Sequence, residues 1–436
     1  MAELDQNQQN DFIIEKIKER PVNKKKLFRR TVITAAMAVI FGLIACLTFL
    51  ILEPVFSNWL YPEEDPQIIV FPEDQEEVSP EDMLSDSTVT EEETQEGIAL
   101  EEEQIQEILS GVTLNRENYK QMYDALSVYV TELRDSMVTV TGVTSDVDWF
   151  DNELENKGHS SGLIIGNNGK ELLILADYSL IKDAEKLSMT FSNNQQVDTQ
   201  IKQYDVDTNI AILSVEISSL PEEMADIGIM VASLGTSSGR SIVGQPVIAL
   251  GSPMGSSDSV GYGIISSASG QVAVADANFR LLMTDIYGSE DAGGFLFNLQ
   301  GQVIGIITNS ANNENIISAY GISDIKRIVE KMSNGSKRAY LGIIGVDVTT
   351  DAHNDMQVPY GVYVTEAVMD SPAMLAGIQQ GDVIVAMDET EISNVSAYTS
   401  TLIQLNAGDI VELIVMRMAQ EEYREMRFEI TLVESK

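Results

Sequence analysis

From Ser160 onward the chain is built of short apolar runs, many of them β-branched, that are separated by turn residues. They include SSGLIIGNNGKELLILA (160–176), KLSMTFSNNQQVDTQIKQY (186–204), NIAILSVEI (209–217), GQPVIALGSPMG (244–255), GYGIISSASGQVAVA (261–275), FRLLMTD (279–285), GGFLFNLQGQVIGIIT (293–308) and ISAYGIS (317–323). Strands of this length, punctuated by Asn-Asn-Gly, Ser-Asn-Asn and Ser-Pro-Met-Gly, predict antiparallel barrels or sandwiches rather than alternating β and α units. NYKQMYDALSVYVTELRDSM (118–137) carries apolar residues at helical intervals and leads into MVTVTGV, which alternates as a strand does. ISDIKRIVEKM (322–332) reads as an amphipathic helix closed by the breaker Asn334-Gly335-Ser336.

A different pattern occupies the N-terminal quarter. Thr31 to Leu52 contains no charge, and at about 1.5 Å per residue it is long enough to cross a hydrocarbon layer of about 30 Å. A secretory signal has a shorter apolar core and a small-residue cleavage site, whereas this run ends in Glu53, Pro54, Val55 and Phe56. The expectation is one membrane-spanning helix at 31–52 with Cys46 as an apolar filler inside it. Residues 1–30 hold eight Lys and Arg against five Asp and Glu, so the positive-inside bias places this basic tail in the cytoplasm and the remainder outside.

Charge sharpens the division. The 436 residues contain 68 acidic and 27 basic side chains, a formal charge of -41. That balance excludes the basic footprint of a nucleic-acid binder. Residues 53–118 are read as an acidic extracytoplasmic linker: no Lys or Arg occurs from Glu53 to Asn115, and like charge at low hydrophobicity does not offset the entropy of ordering. EEEQIQEIL (101–109) is a candidate short helix within it. One Cys and two His exclude a disulfide framework and any zinc site with four Cys/His ligands, and the expectation is no cofactor and no metal.

Taken in order, SSGLII, NIAILSV, GQPVIALGSPMG, GYGIISS and TD followed by GGFLFNLQGQVIGI resemble the trypsin-like domain of the HtrA (Deg) family of serine endopeptidases. YLGIIGVDV, GVYVTEAVMDSPAMLAGIQQGDVIVAMD and NAGDIVELIVMR resemble its PDZ domain. The fold class this implies is mainly β: a trypsin-like double barrel at 119–335, then an α/β PDZ domain at 338–434, behind one N-terminal transmembrane helix. That order is the order of membrane-tethered bacterial HtrA proteins.

Acyl transfer on this fold needs a Ser oxygen, a His that takes its proton, an Asp that orients the His and backbone N–H groups that hold the oxyanion. On the resemblance, the His position is Ser179 in ILADYSLI, the Asp position is Asn209 in VDTNIAIL, and the nucleophile position is Ala292 in EDAGG. All three roles are vacant. Glu290 stands where the family's oxyanion-loop Gly is usual, and the stretch from Asp285 to Gly293 is one residue short of the common pattern. Only His159 and His353 remain as imidazoles. Ser289 lacks a neighbouring base, and Asp207 reads as a turn acid. The expectation is a pseudoprotease: the alternative is an HtrA-type endopeptidase with non-standard catalytic residues.

The resemblance further implies that Tyr340, Leu341, Gly342 and Ile343 cap a peptide carboxylate with backbone N–H groups. The strand IIGVDV would add the peptide opposite a helix at 396–405. Leu341 and Ile343 read equally as core, and Ser371-Pro372-Ala373 as an N-cap and first helical turn. Expected partners are peptide C-termini or unfolded extracytoplasmic proteins, with the membrane held through one helix. Family barrels commonly form trimers, which makes Tyr119, Tyr123 and Tyr129 candidate contacts with copies or active relatives, and packing onto the barrel is the other reading.

Overall fold

The structure is a computed structural model that describes residues 24–60, 66–74, 116–147, 153–221, 229–308, 315–420 and 422–435. The first 23 residues and the stretch 75–115, with the short helix expected at 101–109, lie outside the described residues. The chain divides into two compact units, Met1–Asp65 and Pro66–Lys436.

In the first unit, helix α1 spans Lys24–Leu60 and includes the apolar stretch Phe28–Phe49, long enough to cross a membrane. The expected span at 31–52 lies inside it. Glu53 and Pro54 interrupt the apolar run, yet the backbone stays helical to Leu60, past the N–H that Pro54 lacks.

The second unit begins with a surprise for the linker reading. Residues 66–74 lie against the folded body. The Ile69 and Phe71 side chains pack on its core, and Gln67 N–H donates to the Asn168 carbonyl at 2.8 Å. Asn334 exchanges two hydrogen bonds with the Ile69 backbone at 2.9 and 2.8 Å, and the Phe71 N–H donates to Glu330 at 2.9 Å. Asp74 closes this strap: it accepts from Lys326 at 2.5 Å, from Thr236 at 2.9 Å and from Ser323. A lysine buried to 7 % exposure needs such a partner. Burial pushes the Asp74 carboxyl up, but the bonds from Lys326, Ser323 and Thr236 outweigh it and leave its pKa lowered. Its contribution is therefore present above the ordinary carboxylate value and is lost as pH falls through the lower folded value. Asp74→Asn is expected to weaken the strap by about 1–2 kcal/mol, which hydrogen exchange at the Ile69 and Phe71 amides reads directly; unchanged exchange there would refute the latch.

Helix α2, Arg116–Arg134, buries Val130 and Leu133 against the body. Six antiparallel strands then close a barrel: β1 (Met137–Val147), β2 (Glu153–Asn167), β3 (Glu171–Asp177), β4 (Lys186–Phe191), β5 (Gln196–Asp205) and β6 (Ile210–Glu216), in the order β1-β2-β3-β6-β5-β4. After the short β7 (Ser233–Leu234), a second ring follows: β8 (Pro246–Ser252), β9 (Ser259–Val274), β10 (Ala277–Tyr287), β11 (Gly293–Asn298), β12 (Gln302–Thr308) and β13 (Ile316–Gly321). It is closed by the β11–β12 and β8–β11 pairings.

Val140, Ile164, Leu172, Ile174 and Leu213 fill the first barrel; Ala249, Ile265, Leu282, Leu296 and Ala319 fill the second. A third cluster joins the barrels through Leu163, Leu173, Leu175, Ile212, Ile248 and Phe295. Strands β3 and β6 are thus covered on both faces, which is why LLILA and IAILSV read as unbroken apolar runs. Helix α3, Ile322–Ser333, seats Ile325, Ile328 and Val329 in that shared core.

The PDZ domain has a sheet ordered β15 (Ile343–Asp347), β16 (Val362–Ala367), β17 (Val383–Met387), β19 (Ile410–Ala419) and β20 (Glu422–Thr431), with β18 (Thr390–Glu391) on β17 and the pair β14 (Ala339–Tyr340) and β21 (Val433–Glu434) beside it. Its helices are α4 (Thr350–Met356), α5 (Pro372–Ala376) and α6 (Val395–Leu402). Ser371 caps α5 by accepting from the Met374 N–H at 3.1 Å, and Gly377 ends it at φ +97°, as the Ser-Pro and Gly signals predict. Asn394 caps α6 in the same way.

Candidate functional site

At the barrel junction, strand pairing decides what meets. Asp177 ends β3 opposite Ile210, the first residue of β6. The turn before β6 therefore brings Asn209 beside the turn after β3, which carries Ser179. Asn209 sits in the left-handed region at φ +57°, a conformation Asn tolerates. Asp177 Oδ1 accepts from the Ser179 N–H at 2.8 Å, the Ser179 hydroxyl at 2.6 Å and Asn209 Nδ2 at 2.9 Å, while Asn209 Oδ1 accepts a second bond from the Ser179 N–H at 2.7 Å. The two sequence-identified positions thus converge. Asp177, which the sequence reading did not single out, is the hub that joins them.

Ala292 lies across the junction, buried, in the turn between β10 and β11. Its N–H donates to the Ser289 carbonyl at 3.1 Å, and the Asp291 N–H donates to Ser289 Oγ at 3.2 Å. Two amides of this turn are therefore engaged inside it. Asp177, Asn209 and Ser161 on one side and Gly293 and Thr308 on the other line a crevice of ≈ 30 Å³.

Among the described residues, the hydrogen bonds of the two histidines do not go to a serine. His159, exposed on β2, has Nδ1 at 3.1 Å from the Thr141 hydroxyl on the neighbouring strand. His353 is in α4, where Nδ1 lies 2.8 Å from the Val358 carbonyl and the ring stacks on Tyr360. Ser179 Oγ–H instead meets a carboxylate directly. A carboxylate beside an alcohol is not the imidazole that serves as general base on this fold.

The second site is in the PDZ domain, and it is occupied from within the chain. The N–H groups of Leu341 and Gly342 both donate to Asp276 Oδ2 at 2.8 Å; Ile343 N–H donates to Oδ1 at 3.0 Å and the Tyr398 hydroxyl to Oδ1 at 2.7 Å. Gly342 has φ +86°, and a Cβ there would stand 2.2 Å from Ser371 Cβ, so the cradle requires glycine. The side chains of Leu341 and Ile343 are in the PDZ core; it is their amides that form the site. Burial, then Asp276, pushes the Tyr398 hydroxyl well above its ordinary pKa. Burial with Asp276 and Asp207 pushes Tyr340 up to about 12.

The family model for a trypsin-like peptidase domain matches residues 160–306, and that for a PDZ domain matches 340–430. The serine protease Do-like HtrA of Lactococcus lactis subsp. lactis is 30% identical over 302 residues, which cover 64% of this chain and 71% of that protein. This chain belongs to the HtrA family. A putative serine protease HhoA from Synechocystis is 31% identical to this HtrA-family chain over 279 residues, covering 60% of it and 68% of the relative. A DegP-like probable periplasmic serine endoprotease of Halomonas elongata is 28% identical over 272 residues, 60% of this chain and 54% of that one. Among solved structures, the HtrA-type protease AlgW with decapeptide superposes with TM-score 0.50 at 18% identity, covering 70% of this chain and 96% of that chain, a likeness of fold. The double barrel followed by a PDZ domain is thus the HtrA arrangement.

Proposed function

We propose that this HtrA-family protein is a pseudoprotease: a membrane-tethered, extracytoplasmic scaffold or sensor in protein quality control whose PDZ domain binds peptide C-termini or unfolded segments. The observation that carries the reading is the closed Asp177–Ser179–Asn209 cluster facing the Ala292 turn, with no imidazole at the junction. A carboxylate, a hydroxyl and an amide bonded to one another lack the imidazole that takes a proton from a nucleophile and returns it to a leaving amine. The apolar helix α1, with basic residues on its N-terminal side, supports an anchor whose N-terminus is cytoplasmic.

The second reading, an endopeptidase with non-standard residues, draws on the names of its relatives and on the 2.6 Å contact between Ser179 Oγ and Asp177. Turnover separates them. The full chain in detergent micelles, purified beside an active relative, is expected to leave casein intact and to take up no fluorophosphonate label. Hydrolysis that survives purification and is titrated by the probe would end the pseudoprotease reading.

Assembly follows the exposed aromatics of α2. Tyr119 and Tyr123 are 63% and 42% exposed, and Tyr123 meets Tyr262 edge-on at 6.2 Å. These two remain candidate contacts for a copy or an active relative. Tyr129 instead packs against the body's core, which accounts for it by helix docking.

A further inference from the structure

The cradle in the PDZ domain is chemically a carboxylate site: three backbone N–H groups and one hydroxyl converge on two oxygens of one group. Asp276 supplies that group from the two-residue turn, Ala275–Asp276, that joins β9 to β10, where Val274 pairs with Ala277. Asp276 is 2% exposed and holds φ +62°.

The hairpin does more than insert a carboxylate. β15 is the edge strand of the PDZ sheet, so an added peptide strand would bond to its outward backbone groups. The Asp276 N–H already donates to the Ile343 carbonyl at 2.7 Å, and Asn278 Nδ2 donates to the Gly345 carbonyl at 3.1 Å. From the opposite wall, Thr399 on α6 donates to the Asp276 carbonyl at 3.2 Å. Cradle amides, edge carbonyls and helix wall are all engaged by the end of one hairpin.

We infer that the β9–β10 turn is an internal ligand of the PDZ groove, with Asp276 in the place of a peptide's terminal carboxylate, so that peptide capture requires the turn to leave. The inference rests on the peptide-binding reading above. Asp276 and a peptide terminus cannot share four donors. The turn also has the advantage of being tethered, at an effective concentration of the order of millimolar. If the groove is open in only a fraction f of molecules, the apparent dissociation constant is the intrinsic one divided by f.

The test uses the full chain in micelles and two variants that keep volume: Asp276→Asn, which retains a residue tolerant of positive φ, and Tyr398→Phe, which removes one donor. Hydrogen exchange of the Leu341, Gly342 and Ile343 amides is read beside the PDZ core strand β19. The probes are labelled decapeptides of randomised body with a free apolar C-terminal residue, and the same pool amidated. The expected result is exchange at least about tenfold faster at the three cradle amides in both variants, unchanged exchange in β19, and binding of the free-carboxylate pool at least about tenfold tighter to Asp276→Asn than to the parent. The amidated pool should gain nothing. Unchanged protection of the cradle amides in both variants, or equal affinity of the free-carboxylate pool for parent and Asp276→Asn, overturns the inference. Faster exchange with neither pool bound by any of the proteins upholds the internal ligand and removes the peptide-binding reading instead.

Discussion

Replacing Arg338 by Met is expected to destabilise the folded body by about 3–5 kcal/mol, the range for stripping one partner from a buried ion pair. Arg338 is 2% exposed and Asp205 1%. Its Nε donates to Asp205 Oδ2 at 3.0 Å, one terminal nitrogen donates to the Ala275 carbonyl at 2.9 Å, and the other stands 3.6 Å from Asp207. Burial opposes the charge, but Asp205, Asp276 and Asp207 outweigh it and hold the guanidinium above its ordinary pKa. A raised base contributes below its unfolded pKa and fails only as pH rises through the folded value, so the Arg338 guanidinium keeps its charge in any ordinary buffer. The methionine variant leaves Asp205 buried without its counter-charge, its carboxylate still accepting from the Thr208 N–H at 3.1 Å. Urea unfolding at constant slope measures the loss. Asp205→Asn in the same background should recover part of it, because an amide costs less to bury than a charge. A loss below about 1 kcal/mol would mean that water reaches the pair.

The same residue shows where sequence reasoning stops. Runs such as LLILA and IAILSV disclosed strands covered on both faces, because periodicity records burial and little else. Ser371-Pro372 and Asn394 disclosed their helices, because a cap is local chemistry between residues three apart. Arg338 and Asp205 lie 133 residues apart, Asp74 and Lys326 252, and Asp276 and Gly342 66. No local rule marks Asp276 in VADANF as anything but a turn acid, since Asp in a two-residue turn is favoured whether or not its oxygens find a cradle. The strap fell inside the expected linker for a related reason. QIIVF is short and lies among acids, and only the surface it lands on makes it worth ordering. At the junction, Ser179, Asn209 and Ala292 are assigned to the triad positions by the family resemblance of the surrounding runs. Asp177 was invisible because its role comes from a shared turn geometry.

Restoring the three letters alone is expected to leave the junction inert. In the variant Ser179→His, Asn209→Asp, Ala292→Ser, the aspartate can take the left-handed conformation that Asn209 holds at φ +57°. The imidazole, however, enters beside Asp177, whose Oδ1 is the acceptor already present at that corner. The larger obstacle is across the cleft. The residue-292 N–H is turned to the Ser289 carbonyl and the Asp291 N–H to the Ser289 hydroxyl, Glu290 occupies the apex, and the Ser289 N–H is held by the Pro253 carbonyl at 3.1 Å. A complete Ser-His-Asp set is worth about 10⁶ in turnover, and each missing oxyanion donor costs about 10²–10³. A refitted triad facing a closed turn should therefore hydrolyse peptides at no more than about 10⁻³ of an active relative. Adding Glu290→Gly and one residue between Gly288 and Ala292 frees the turn, and fluorophosphonate labelling at position 292 should appear only in that combined variant. Labelling of the triple variant at the relative's rate would show that the turn is already competent and that the side chains at 179, 209 and 292 alone limit the reaction.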